Sequence, residues 1–433
     1  MAMGARARRL LLVSALILLA LVLALRFVLE PQRASRFLLE RVGNSLGLEI
    51  TASGAAEYRL RGTPQLVIRD VVAREPGAKV PLLRADRILL SLPWSTIRAR
   101  GAVLAAERLE LDRPVLQLSA LQHWLATRPP SEQPRMPTLE KGLQVRDGSI
   151  RNDGAKADWH IDGIAIDLPR LAPSEPLHAR VRGRYVAAPV RVPFDLALAL
   201  VRAEALLDGS PTGFGAVGRL ALISGDEWLL PAHLRLSGPL RFQTDDIRIL
   251  PARLGLAGSY RSGSTTLPFA LGAHGPLRYD DGRLALAPAP LVLRGRGAPA
   301  EDPIPDLVAR GTLAFGDALT MQLDGAVARW PAAWPALPEP LGRPRGTIPV
   351  AVDYTGPIDL SGIVALRASK DATNFTGRFR VRALQAWLDS GMTTPLPPMD
   401  GSLRTPLLEI AGARLEGVSI DLDDPAVEPA IDE

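Results

Sequence analysis

The chain is 433 residues long, has no cysteine, and carries 51 Lys and Arg against 46 Asp and Glu, a formal net charge of +5. Without cysteine there is no disulfide framework, thiol nucleophile or thiolate metal site. The basic excess belongs to the first 45 residues, where Arg6, Arg8, Arg9, Arg26, Arg33, Arg36 and Arg41 face only Glu30 and Glu40, so residues 46–433 are balanced and offer no electrostatic footprint for nucleic acid.

Residues 10–25 (LLLVSALILLALVLAL) hold no charge, and with Arg26 snorkelling the apolar run reaches Leu29. About twenty such residues cross a hydrocarbon core of ~30 Å as a helix, so 10–29 is predicted to be a transmembrane helix. The arginines just before it predict a cytoplasmic basic N-terminus over residues 1–9, with the chain after Glu30 on the far side of the membrane. A cleaved signal peptide is the rival reading, with a usable site at Val22-Leu23-Ala24. The apolar run exceeds the about 7–15 residues of a signal core, however, and a retained anchor is preferred.

Arg33 to Leu46 is expected to form a short amphipathic helix with Phe37, Leu38 and Val42 on one side. Beyond it strands dominate. Apolar and polar residues alternate in 108–112, 233–237, 246–249, 283–286 and 320–324, which gives one apolar and one wet face. Ser237-Gly238-Pro239, Asp280-Asp281-Gly282 and Asp324-Gly325 carry turn chemistry and are expected to separate hairpin strands. Leu118–Ala126 and Val381–Ser390 are predicted short helices that pack on the sheet.

Arg128 to Pro137 (RPPSEQPRMP) is the expected linker between an N-terminal module, 30–127, and a repetitive region, 138–420. In that region Gly238-Pro239-Leu240-Arg241-Phe242 is echoed thirty-seven residues later by Gly275-Pro276-Leu277-Arg278-Tyr279, and more loosely at Gly356-Pro357-Ile358. Such a period suggests sheet units added along one axis. Residues 421–433, with Asp421, Asp423, Asp424, Glu428, Asp432 and Glu433, are expected to be an acidic flexible tail. The fold class is therefore mainly β: an elongated, mostly antiparallel curled sheet forming an open groove, with a few short helices.

Signals for catalysis are weak. Gly213-Phe214-Gly215-Ala216-Val217-Gly218 spells GxGxxG, but turn chemistry precedes it and a strand pattern follows, against a dinucleotide site. His123, His160, His178, His233 and His274 are scattered without metal spacing. The Asp pairs at 245–246 and 280–281 read as solvated turns. No catalytic, cofactor or metal residue is assigned, and an enzyme is the last of the readings.

Leu46 to Ile50 and Leu66 to Val71 (LVIRDV), then Leu82 to Leu92 (LLRADRILLSL), Ala105 to Leu111 and Pro114 to Leu118, resemble in order the N-terminal module of the AsmA family. Leu143 to Ile150 (LQVRDGSI) resembles that family's strand, Asp-Gly turn and strand, and Leu408 to Val418 a C-terminal stretch of its members. The resemblance implies a protein anchored in the inner membrane of Gram-negative bacteria, with its bulk in the periplasm and a role in outer-membrane assembly. It also implies phospholipid carried along an apolar β-groove; it brings no catalytic residues.

The expected groove lining is Leu234, Leu236, Ile247, Ile249, Leu284, Leu286, Met321 and Leu323, and a charge at Leu286 or Leu323 is expected to block lipid before it unfolds the protein. The expected partners are the membrane, phospholipid and an envelope protein. The alternative is a closed β-sandwich acting as a structural or assembly factor without lipid transfer.

Overall fold

Period-two alternation becomes strand along most of the chain. The computed structural model describes residues 39–427 except 41–42, 45, 55, 60, 99–104, 128–135, 154–157, 244–245, 281, 299–301, 333–345, 391–393, 395–397, 411–412 and 425–426. The predicted membrane helix at 10–29, residues 33–38 of the predicted amphipathic helix and most of the predicted linker lie outside the described residues. Among those described, no helix is long and apolar enough to cross a membrane. The chain divides into two units, one of Met1–Glu132, Pro137–Asp153 and Pro169–Leu171, the other of Gln133–Met136, Gly154–Leu168 and Ala172–Glu433.

The first unit contains β1 (Glu49–Ala52), β2 (Ala56–Arg59), β3 (Gln65–Arg74), β4 (Leu83–Ser91) and helix α1 (Trp94–Arg98). These are followed by β5 (Ala105–Ala106), β6 (Arg108–Asp112), β7 (Val115–Gln117), α2 (Leu118–Thr127), β8 (Thr138–Leu139) and β9 (Leu143–Asp153). β3 pairs antiparallel with β1, β2 and β4, and β4 pairs antiparallel with β6 and β7. The hairpin expectation fails at β9, which runs parallel to β6 and β7, as β8 does to β5. Parallel neighbours need a crossover, and α2 lies in it.

Leu121 and Trp124 of α2 pack against the cluster of Leu48, Ala73 and Leu82, and the Trp124 indole N–H donates to the Leu46 carbonyl at 2.9 Å. Asp147-Gly148, expected to be a turn, instead lies inside β9. Asp147 takes a φ of 52° and Arg113 one of 47°, and beyond this point β9 passes from pairing with β6 to pairing with β7 in the same register.

The second unit begins with β10 (Asp158–Leu168), β11 (Leu177–Ala187), β12 (Val190–Leu200), α3 (Ala205–Asp208) and β13 (Thr212–Ser224). It continues with β14 (Trp228–Gln243), β15 (Asp246–Ser262), β16 (Thr265–Asp280), β17 (Arg283–Leu286) and β18 (Leu291–Gly295). Then come β19 (Asp306–Phe315), β20 (Leu319–Arg329), β21 (Ile348–Gly356), β22 (Ile363–Lys370), β23 (Thr373–Arg380), α4 (Val381–Asp389), β24 (Asp400–Ile410) and β25 (Ala413–Leu422). Successive strands pair antiparallel throughout, with β17 and β18 together filling one place between β16 and β19.

The sheet rolls on itself. The Tyr185 ring on β11 lies 6.2 Å, centroid to centroid, from Phe315 on β19. The buried Trp228 of β14 donates its indole N–H to the Asp359 carbonyl, in the loop after β21, at 3.3 Å. Arg382 of α4 fastens that seam, with Nη2 at 2.9 Å from Glu227 and 3.1 Å from Asp359. Of the acidic tail expected over 421–433, residues 425–426 and 428–433 lie outside the described residues. Asp421 and Leu422 close β25, and the Asp424 N–H donates to Asp400 at 2.8 Å.

Two of the three expected separators are not turns. Ser237-Gly238-Pro239 lies within β14 and Asp324-Gly325 within β20, while Asp280 and Gly282 do flank the connection from β16 to β17. The reason is close backbone approach. A Cβ on Gly325 would strike the Val308 carbonyl, and one on Gly238 the carbonyl of Pro251.

The thirty-seven-residue echo has a structural counterpart. Gly238-Pro239 faces a bulge at Leu250-Pro251 on β15, and Gly275-Pro276 on β16 faces Ala287-Pro288 between β17 and β18; both facing X-Pro bonds are cis. Gly238 and Gly275 take φ of 156° and 146°. The looser third copy does something else: Gly356 ends β21, and Pro357 accepts the Tyr354 hydroxyl at 2.6 Å.

Gly238→Ala and Gly275→Ala should each lower stability by roughly 1–3 kcal/mol in thermal or denaturant unfolding. Gly272→Ala, whose Cβ would meet nothing within 4 Å, should be near neutral.

In the first unit, Glu107 accepts the buried Ser91 hydroxyl at 2.8 Å and pairs with Lys141. Lys141 first, then Ser91, holds its carboxyl below the ordinary 4.5. Its folded pKa is depressed, so the stability it adds is present above pH 4.5 and lost as pH falls through the folded value. Melting curves taken downward from pH 6 should show a steeper acid loss for the native chain than for Glu107→Gln.

Candidate functional site

Antiparallel pairing puts cross-strand partners on the same face, and in the second unit this lines up one apolar lane across β11 to β19. Val181 pairs with Leu196, Leu196 with Gly218, Gly218 with Leu234, and Leu234 with Leu256. Leu256 pairs with Leu271, Leu271 with Leu293, and Leu293 with Leu307. Every member is half-buried, and the lane ends on the more deeply buried Val327 and Ile348.

Beside the lane the same face is already filled. Ile249, Ala252, Ala273, Leu286, Ala289, Leu291, Ala309 and Leu323 form one buried cluster, with Leu236 and Met321 packed against it, as are Leu271, Leu293 and Leu307 of the lane. The lane thus joins the self-packed core from Leu271 to Leu307, and its stretch from Val181 to Leu256 lies off that core and is partly exposed.

The opposite face is wet. β11 alternates inward Leu177, Ala179 and Val181 with exposed His178, Arg180 and Arg182. Arg180 grips Asp195 with two hydrogen bonds, at 2.9 and 2.7 Å, and holds its carboxyl below the usual range. A shallow apolar depression of about 390 Å3 lies at the strand ends of β11–β14, lined by His178, Ala199, Val201, Gly213, Gly215 and Pro239 among others.

The eight residues expected to line a groove fall in three places. Leu234 belongs to the lane. Leu236, Ile249, Leu286, Met321 and Leu323 are brought together in the core cluster or against it, with Ile249, Leu286 and Leu323 at most 6% exposed. Ile247 and Leu284 share an end row with Tyr279 and Phe315, and Leu284 is 39% exposed.

Leu196 and Leu271 escaped the sequence reading because their strands are not clean alternators, whereas Val181 lies in a strand that alternates cleanly. Leu196 and Leu198 sit in a run of near-continuous apolar residues, and Leu271 follows Phe269 and Ala270. The Trp159–Tyr185–Phe315 ring contacts join strands distant in sequence, so no local signal marks them.

Gly213 to Gly218 lies wholly within β13, where a Cβ on Gly218 would strike the Asp195 carbonyl; the glycines serve strand packing, and no helix follows for a pyrophosphate. His160 contacts Asp162 at 3.0 Å, and His123 lies 3.9 Å from Glu75. Among the described residues, no group of three His, Asp or Glu side chains is arranged to hold a metal ion.

Burial revises the expected effect of charging the lining. Leu286→Asp and Leu323→Asp place a carboxylate in the core cluster and should each cost on the order of 4 kcal/mol, read as a collapse of the unfolding midpoint. Leu234→Asp, in the half-exposed lane, should shift it far less.

The chain matches no protein-family model, and neither a curated protein nor a solved structure matches it.

Proposed function

We propose that the chain binds and transfers phospholipid, its inner face holding acyl chains along the lane from Val181 to Leu307, in support of outer-membrane assembly. The observation that carries this reading is the half-burial of an unbroken apolar lane across β11 to β19. A single-layer sheet that leaves such a face partly wet gains by covering it. Hydrocarbon contributes roughly 0.8 kcal/mol per buried methylene and needs no directional contacts, which suits a lining of Leu and Val.

The resemblance of 46–118, 143–150 and 408–418 to the AsmA family supports the same reading. So does the uncharged stretch at 10–25 behind Arg6, Arg8 and Arg9, which fits a single inner-membrane span with the N-terminus cytoplasmic and the bulk periplasmic.

A second reading is favoured by the core cluster beside the lane, where the inner face is already closed. On that reading the chain is an assembly factor that contacts envelope proteins and carries no lipid.

The two readings separate in a transfer assay. The full chain, reconstituted in donor vesicles, should speed movement of labelled phospholipid to acceptor vesicles. Leu234→Asp with Leu256→Asp should cut that rate about tenfold or more while leaving the unfolding midpoint close to native. Transfer no faster than from protein-free vesicles would sink the lipid reading and favour the assembly factor.

A further inference from the structure

Several buried hydroxyls on the inner face of the second unit have partners. Thr212 accepts the Arg202 N–H, Ser262 donates to the Glu227 carbonyl, Tyr354 donates to Pro357, and Thr373 and Thr405 bond each other. Tyr185 and Tyr279 differ. Both are half-buried, both face inward by register, and neither hydroxyl has a hydrogen-bond partner among the described residues.

Their setting is aromatic. The Tyr185 ring lies 5.5 Å from Trp159 and 6.2 Å from Phe315, while Tyr279 shares a cross-strand row with Ile247, Leu284 and Phe315. Tyr185 stands four residues beyond Val181 on β11, about 13 Å at the usual strand rise, a span shorter than an extended acyl chain. Burial first, then the neighbouring Tyr279, pushes the Tyr185 phenol up, so it remains a protonated donor. A neutral donor among rings and aliphatic side chains suits a neutral acceptor, since a phosphate brought there would lose its hydration without gaining a countercharge.

We propose that the Tyr185 and Tyr279 hydroxyls donate hydrogen bonds to the ester carbonyls of a diacyl glycerolipid whose chains occupy the apolar lane. The inference rests on the lipid-binding reading above and adds to it a polar anchor and a substrate class. An acyl ester is recognised, and the alkyl ether of the same length is not.

The test is competition. A fluorescent diacyl lipid bound to the full chain is displaced by diester or by diether phosphatidylcholine of equal chain length. The native chain should prefer the diester about tenfold, as two modest hydrogen bonds allow. Tyr185→Phe with Tyr279→Phe should abolish that preference while leaving displacement by the diether unchanged, which also reports that the variant is folded. Equal displacement by diester and diether in the native chain, or a preference that survives in the double variant, would overturn the anchor. Failure of the fluorescent lipid to bind the native chain at all would overturn the lipid reading and the anchor with it.

Discussion

Everything in the second unit depends on antiparallel register. Consecutive strands pair residue against residue, so an inward side chain on one strand meets an inward side chain on the next, and alternation within strands becomes continuity across them. That continuity turns modest local amphipathicity into a lane from Val181 to Leu307. It also explains why a one-residue slip would be ruinous, since it would send a whole strand's apolar set to the wet face.

A single layer of sheet has to do something with its apolar face. Here part of the face closes on itself, through the cluster around Leu286 and Leu291, and the roll is fastened at two distant places by Tyr185 on Phe315 and by Trp228 on Asp359. Long strands do not roll smoothly without relief. β14, β15 and β16 run 16, 17 and 16 residues, and each crosses a bulged Gly-Pro or X-Pro site within its length. At Gly238 and Gly275 the facing carbonyl leaves no room for a side chain, and the backbone takes a conformation that L residues rarely adopt.

Much of the fold was legible in the chain. Arg108–Asp112 is a strand of its own, His233–Ser237 and Asp246–Ile249 lie inside longer ones, and Leu118–Thr127 and Val381–Asp389 are helices close to where their patterns place them. Glycine misled. Gly238, Gly325 and Gly148 read as turn residues, yet each sits in a strand; at Gly238 and Gly325 the reason is that glycine serves close backbone approach as well as reversal. The parallel pairing of β9 was hidden for a different reason: it depends on the α2 crossover, and nothing in Leu143–Asp153 distinguishes a parallel from an antiparallel strand.

The candidate site was only partly legible. Alternation identifies inward residues but is blind to how deeply each is buried, so Leu234 in the half-exposed lane looks the same in sequence as Leu286 in the core. Half-burial across many strands is a property of the rolled sheet. Site-specific photo-crosslinking tests it most directly. A benzoylphenylalanine is placed in the full chain at Leu196, Leu234, Leu256 or Leu271, or at the outward-facing neighbours His233 and Arg235, and illuminated in cells. Lipid adducts are expected at the four lane positions and none at His233 or Arg235. Adducts at all six positions alike, or at none of them, would contradict it.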